Sequence, residues 1–147
     1  MSCSGPSLEE YFPKSQEEKK IISLLIQYQD AKINCDLDQF LSCLHENGVF
    51  HFGSGFMLSK NELKKSLPSF WAGLKSGSTE FYPMNREMIT GNYILTGRFF
   101  NPIISINKDS ADVILTFRKY GWRLRHFISM IKENDRWLIS RLDWETN

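Results

Sequence analysis

Apolar positions change period along this chain, and the changes mark its elements. Ile21, Leu24, Leu25, Tyr28 and Ala31 or Lys32 recur at i, i+3, i+4, i+7, the stripe of an amphipathic helix. Ser15 stands before the stripe with Glu18 three residues on, a capping-box pair, so "SQEEKKIISLLIQYQDAKINCD" is predicted as one helix. "DLDQFLSCLHEN" is predicted as a second, capped by Asp36 and burying Leu37, Phe40, Leu41 and Leu44. The period then breaks. "NGVFHFGSG" packs a valine and two phenylalanines between closely spaced glycines, as a short strand entering a turn does. "SKNELKKSLPSFWAGLKSG" returns to helical spacing, with Ser59 and Glu62 as another box. Pro68 removes a backbone donor inside it, so a kink or two short pieces are expected.

Beyond residue 78 the pattern turns to strands. "STEFYPMNREMITGN" is ambiguous and is assigned as irregular or edge strand. After it, "YILTGRFFNPIISI", "ADVILTFRKY", "WRLRHFISMI" and "RWLISRLDWE" are rich in Ile, Phe, Leu and Trp and are joined by short polar or glycine turns. Val113, Leu115 and Phe117 alternate with Ile114, Thr116 and Arg118, while Leu124, His126, Ile128 and Met130 share one face. Neither face is cleanly polar, so both are expected to be partly covered. Helices followed by a meander of long strands describe an α+β layer. Residues 1–15, rich in Ser, Pro and Glu, are expected to form a flexible arm, and 16–147 a single domain.

Composition narrows the choice of partners. The 147 residues carry 18 Lys+Arg against 17 Asp+Glu, so no global field favours nucleic acid or an acidic partner. "FRKYGWRLRH" gathers Arg118, Lys119, Arg123 and Arg125 with Tyr120 and Trp122, but it straddles a turn and is assigned as a solvated turn or a dimer contact. Aromatics reach 14%, which suits a curved sheet and the wall of an organic-ligand pocket. The cysteines, Cys3, Cys35 and Cys43, are odd in number and lack metal spacing, which points to a reducing, cytoplasmic setting. The opening "MSCSGPS" also resembles the start of a mature bacterial lipoprotein with its leader trimmed at Cys3, the alternative location. No apolar run approaches the ~18 residues of a membrane span. No P-loop, dinucleotide fingerprint, nucleophile elbow or Cys/His metal set is present, so a site without metal or cofactor is the consistent expectation.

Taken in order, "YQDAKINCDLDQFLSCL", "NGVFHFGSG", "SKNELKKSLPSFW", "TGRFFNPIISINKDSADV" and "ENDRWLISRLDW" resemble the nuclear transport factor 2-like superfamily, in particular its SnoaL-like and scytalone-dehydratase-like branches. The resemblance covers about residues 17–145. It implies a cystatin-like cone: a strongly curved, largely antiparallel sheet with a mixed edge, wrapped around the N-terminal helices and leaving a pocket at its open end. It also implies a homodimer through the outer sheet face and a small apolar or aromatic ligand. In ketosteroid isomerases the general base lies two residues after the valine of a segment like "NGVFHF", a position held here by His51. Their oxyanion-binding tyrosine matches Tyr28, eight residues before Asp36; their protonated aspartate has no counterpart on 124–131. In scytalone dehydratase a helix-one aspartate matches Asp30, one histidine position falls at Arg98, and a second histidine belongs near His126. The limonene-epoxide-hydrolase branch uses an Asp-Arg-Asp set, for which Asp30, Arg98 and Asp143 offer the residue types.

Histidine as a residue type titrates near neutrality, so a His at position 51 suits a general base; it equally suits a strand histidine bonded to a neighbouring carbonyl. Tyr28 is a ligand donor or a core phenol. Asp30, about 200° around the helix from Tyr28, is a catalytic acid or a solvated residue. His126 is a catalyst or a satisfied core histidine. Phe52, Phe56, Trp71, Arg98, Phe100 and Trp144 are the expected pocket wall, with core packing or surface pairing as the alternative for each. Two functions follow: a cofactor-independent isomerase, dehydratase or cyclase moving a proton on a small apolar oxygenated molecule, or a non-catalytic ligand-binding or dimerisation module of the same fold.

Overall fold

Each helix starts where its cap places it. Ser15 Oγ accepts from the Glu18 backbone N–H at 3.1 Å and opens α1 (Gln16–Asn34). The chain leaves α1 through Cys35 in the left-handed conformation, φ 52°. Asp36 accepts from the Gln39 N–H and opens α2 (Leu37–Ser42), which is shorter than its apolar pattern suggests. Ser59 and Glu62 exchange both capping-box bonds, at 3.1 and 2.9 Å, ahead of α3 (Lys60–Ser76). That helix runs as one piece through Pro68 rather than two.

The computed structural model describes residues 5–51, 57–76, 97–119 and 122–144, the side chains of 74–76, 119 and 122 excepted. Its six strands are β1 (Leu44–His51), β2 (Met57–Ser59), β3 (Arg98–Asn107), β4 (Ser110–Lys119), β5 (Trp122–Glu133) and β6 (Arg136–Trp144). They form one sheet in the order β2-β1-β6-β5-β4-β3. All neighbours are antiparallel except β1 and β6, so the sheet is mixed. Asn134 and Asp135, with φ of 51° and 62°, make the two-residue turn between β5 and β6. β1 starts at Leu44, three residues before the expected strand, because the Ile139 N–H donates to the Cys43 carbonyl and draws this segment into the sheet.

One sheet face meets the helices. Leu115, Ile128 and Met130 from the sheet pack with Ile21, Leu25 and Ala31 from α1, all buried. The other face is mixed: Ile103, Ile114 and Phe127 stand opposite one another across β3, β4 and β5, with Ile103 57% and Phe127 38% exposed.

The expected flexible arm is held down over its described part, residues 5–15. Ser7 bridges Phe100, the Asn101 N–H donates to the Pro6 carbonyl at 2.7 Å, and Leu8 is fully buried. Among the described residues β3 is the outermost strand of the sheet on this side, and this segment pairs along it at Phe99–Asn101. Gln29 of α1, fully buried, fastens the join: its Oε1 accepts from the Phe99 N–H at 2.7 Å and its Nε2 donates to Glu9 at 3.0 Å. The position of 78–92 and that of Cys3 lie outside the described residues. Cys35 and Cys43 are free thiols.

Candidate functional site

β1, β4 and β6 run one way and β3 and β5 the other, so one end of the sheet collects the last residues of the first group and the first of the second. His51, Phe117, Asp143 and Trp144 arrive there from one direction; Phe99 and His126 arrive from the other. Gly97 leaves room for this crowding, since a Cβ on it would stand 1.9 Å from the Phe117 ring.

His51 closes the described part of β1. Alternation sends Phe50 to the core and puts His51 on the other side of the strand, in the row that carries Asp143. The ring is nevertheless covered, with 9% of the side chain exposed, and packs 5.3 Å from the Trp144 ring. Nδ1 lies 2.9 Å from Asp143 Oδ1. Burial raises the Asp143 pKa, but the Trp144 backbone N–H and the His51 ring outweigh it, and the carboxyl is held below its ordinary range. An ionised carboxylate only accepts, so in neutral His51 the proton sits on Nδ1 and the lone pair on Nε2. Nε2 is enclosed and has no hydrogen-bond partner among the described residues.

Trp144 lies between the two histidines: its ring is also 5.5 Å from His126. His126 sits on the inner face, packed 5.2 Å from Phe99 and 5.8 Å from Phe117. Burial is the main reason its pKa falls to about 3; the nearby Lys32 and His51 charges add to this and the Leu124 backbone opposes it. It is therefore neutral at physiological pH, and its buried Nδ1 makes no hydrogen bond among the described residues.

Lys32, in the last turn of α1, completes the cluster. Its Nζ lies 4.6 Å from the Phe99 ring centre and 4.3 Å from that of Phe117. The residue keeps some accessible surface, yet burial of the amine pulls its pKa down to about 7. The helical pattern marks this lysine by placing it on the apolar stripe one turn after Tyr28, a position that sequence reasoning treated as packing.

The other candidates disperse. Tyr28 is a core residue 5.1 Å from Phe40 and 6.1 Å from Phe99, and burial pushes its phenol pKa upward. Asp30 is half-buried, and no ion pair among the described residues joins it to either histidine; the aspartate at His51 is Asp143. Trp71 packs edge-on against Phe40 in the core. Arg98 is 52% exposed and pairs with Glu9 at 3.6 Å, as the surface alternative has it. Phe100 points away from Phe99 and lies under the Arg118 guanidinium at 5.2 Å. Among the described residues of the expected wall, Trp144 packs against both histidines. Phe52 and Phe56 lie outside the described residues. Among the described residues, no group of three His, Cys, Asp or Glu side chains is placed to hold a metal ion.

No protein-family model matches the chain, and no curated protein matches it by sequence. Solved structures do. An NTF2-like protein from Cytophaga hutchinsonii has 14% identity and a TM-score of 0.64, covering 90% of this chain and 99% of that one. An NTF2-like protein of unknown function from Pseudomonas putida has 11% identity and a TM-score of 0.66, over 89% and 87%. A protein of unknown function with a cystatin-like fold from Nostoc punctiforme has 18% identity and a TM-score of 0.61, over 92% and 96%. The chain has the α+β cone fold of the NTF2-like, cystatin-like proteins, as its ordered motifs led us to expect. No helix among the described residues is long and apolar enough to cross a membrane.

Proposed function

We propose that this chain is an NTF2-like pocket protein of the SnoaL-like kind, in which His51 moves a proton on a small, largely apolar, oxygenated molecule without a cofactor. The observation that carries the proposal is the hydrogen bond from His51 to Asp143, which leaves a covered Nε2 with its lone pair free of described partners. A ligand at this end of the sheet lies against Trp144. Nε2 takes a proton from carbon beside a carbonyl, and the electron pair moves onto the carbonyl oxygen as an enolate. Returning the proton to another carbon gives isomerisation, and loss of a neighbouring hydroxyl as water gives dehydration. Asp143 holds the ring's tautomer and steadies the imidazolium that forms. Arg98 is on the surface, so charge on the oxygen falls to Lys32 or the neutral His126 ring.

Solvent-proton exchange tests this without a known substrate. Small cyclic and aromatic ketones are incubated with the protein in D2O, and deuterium uptake beside the carbonyl is followed by mass spectrometry. Exchange above buffer is expected, falling by about two decades in His51→Ala and by less in Asp143→Asn. Equal exchange in wild type and His51→Ala overturns the assignment.

A second reading concerns assembly. The apolar row of Ile103, Ile114 and Phe127 on the outer sheet face favours a homodimer seated there, and a non-catalytic module would use the fold in the same way.

A further inference from the structure

Among the buried titratable groups at this end of the fold, Lys32 is the one whose chemistry the proton-transfer reading leaves unused except as a charge. Its surroundings are unusual for a lysine. The amine lies over two aromatic faces, beside the neutral His126, and no carboxylate among the described residues pairs with it. A structural lysine in a core is normally neutralised by an acid, because an uncompensated buried ammonium is costly. This one is flanked by the buried rings of Phe99 and Phe117.

We propose that Lys32 is a nucleophilic amine that captures an apolar aldehyde or ketone as an imine. The proposal names the carbonyl class of ligand for the site described above. It rests on a ligand entering there, and not on His51 acting as a base. In the first step the Nζ lone pair forms a bond to the carbonyl carbon, and the carbonyl π pair moves to oxygen. One proton leaves nitrogen and one joins oxygen, giving the carbinolamine. The carbon–oxygen bond then breaks, water departs with a second proton, and the nitrogen lone pair closes the carbon–nitrogen double bond. No oxidant or reductant is consumed. A lysine with its pKa drawn down to about 7 presents about half its amine uncharged at neutral pH, against well under a thousandth for a solvated lysine. Phe99 and Phe117 would flank the substituent on the imine carbon.

Reductive trapping tests the proposal. Full-length protein is treated at neutral pH with limiting benzaldehyde and sodium cyanoborohydride, which delivers hydride to the imine carbon and makes the adduct permanent. Labelled lysines are located by peptide mass spectrometry. Lys32 is expected to label about tenfold or more faster than the exposed Lys64 and Lys65, the gain in free amine exceeding the cost of entry. Lys32→Arg removes this fast adduct. His51→Ala retains it, which separates failure of the imine from failure of the proton-transfer assignment. Labelling of Lys32 no faster than Lys64 and Lys65 in the wild-type protein overturns the proposal, and that measurement needs no variant to fold.

Discussion

Replacing Lys32 with methionine keeps an unbranched stem and removes the amine, and stability then reports how the charge is tolerated. Burial lowers the lysine pKa from 10.5 to about 7. At about 1.4 kcal/mol for each tenfold change in protonation, that gap sets an upper bound of ~5 kcal/mol on the destabilisation. Two features reduce it. The Phe99 and Phe117 faces attract the ammonium, together returning ~1–2 kcal/mol, and the residue's accessible surface lets water screen part of the rest. The expected gain for Lys32→Met is therefore ~1–3 kcal/mol at about pH 6. The unfolded amine is protonated below 10.5 and the folded one only below about 7. Below the lower value both states are charged and the full penalty stands; above the upper value both are neutral and it disappears. Wild-type stability should climb across that window while the advantage of the variant shrinks. His126, facing the same rings from β5, titrates near 3 in the folded protein and is neutral across that window. Urea denaturation of both proteins at about pH 6 and about pH 9.5 gives the four numbers required. A variant less stable than wild type by the same amount at both pH values would refute the claim that a buried amine resists its charge.

The arm should contribute measurably to the fold. Leu8 is fully buried, so Leu8→Ala should cost ~2–4 kcal/mol in the same denaturation assay, and an unchanged midpoint would mean that residues 5–15 contribute nothing. The outer row of Ile103, Ile114 and Phe127 predicts a dimer in sedimentation, converted to monomer by Ile103→Glu with Phe127→Glu. A wild-type monomer at high concentration would contradict the homodimer.

Legibility followed the range of the interactions that decide each feature. The caps at Ser15 and Ser59 depend on residues three apart, and sequence spacing shows them directly. The meander from β3 to β6 was equally plain, because its turns are short and its strands alternate. Leu44 was misassigned because it continues the apolar spacing of Phe40 and Leu41; a hydrogen bond from Ile139 to the Cys43 carbonyl, nearly a hundred residues away in sequence, decides otherwise. Leu8 lies in a segment rich in Ser, Pro and Glu, and its burial follows from the pairing of residues 6–8 with Phe99–Asn101 of β3, which no local pattern reveals.

The site divides along the same line, and register is the reason. His51 and His126 were visible as titratable rings in apolar strands. Their surroundings were not, because the partnership of His51 with Asp143 spans 92 residues and exists only through the parallel pairing of β1 with β6. Strand neighbours alternate faces, so composition alone cannot say which of two adjacent residues enters a site. Phe99 packs against His126 while Arg98 and Phe100, its immediate neighbours, lie on the opposite face with Glu9 and Arg118. The same rule sends Phe50 inward and leaves His51 to Asp143. A shift of one position in strand register therefore moves a side chain to the other side of the sheet. Lys32 escapes this ambiguity: a helix stripe tolerates a shift of one residue far better than a strand does, and a lone cation on such a stripe marks a cluster before any register is known.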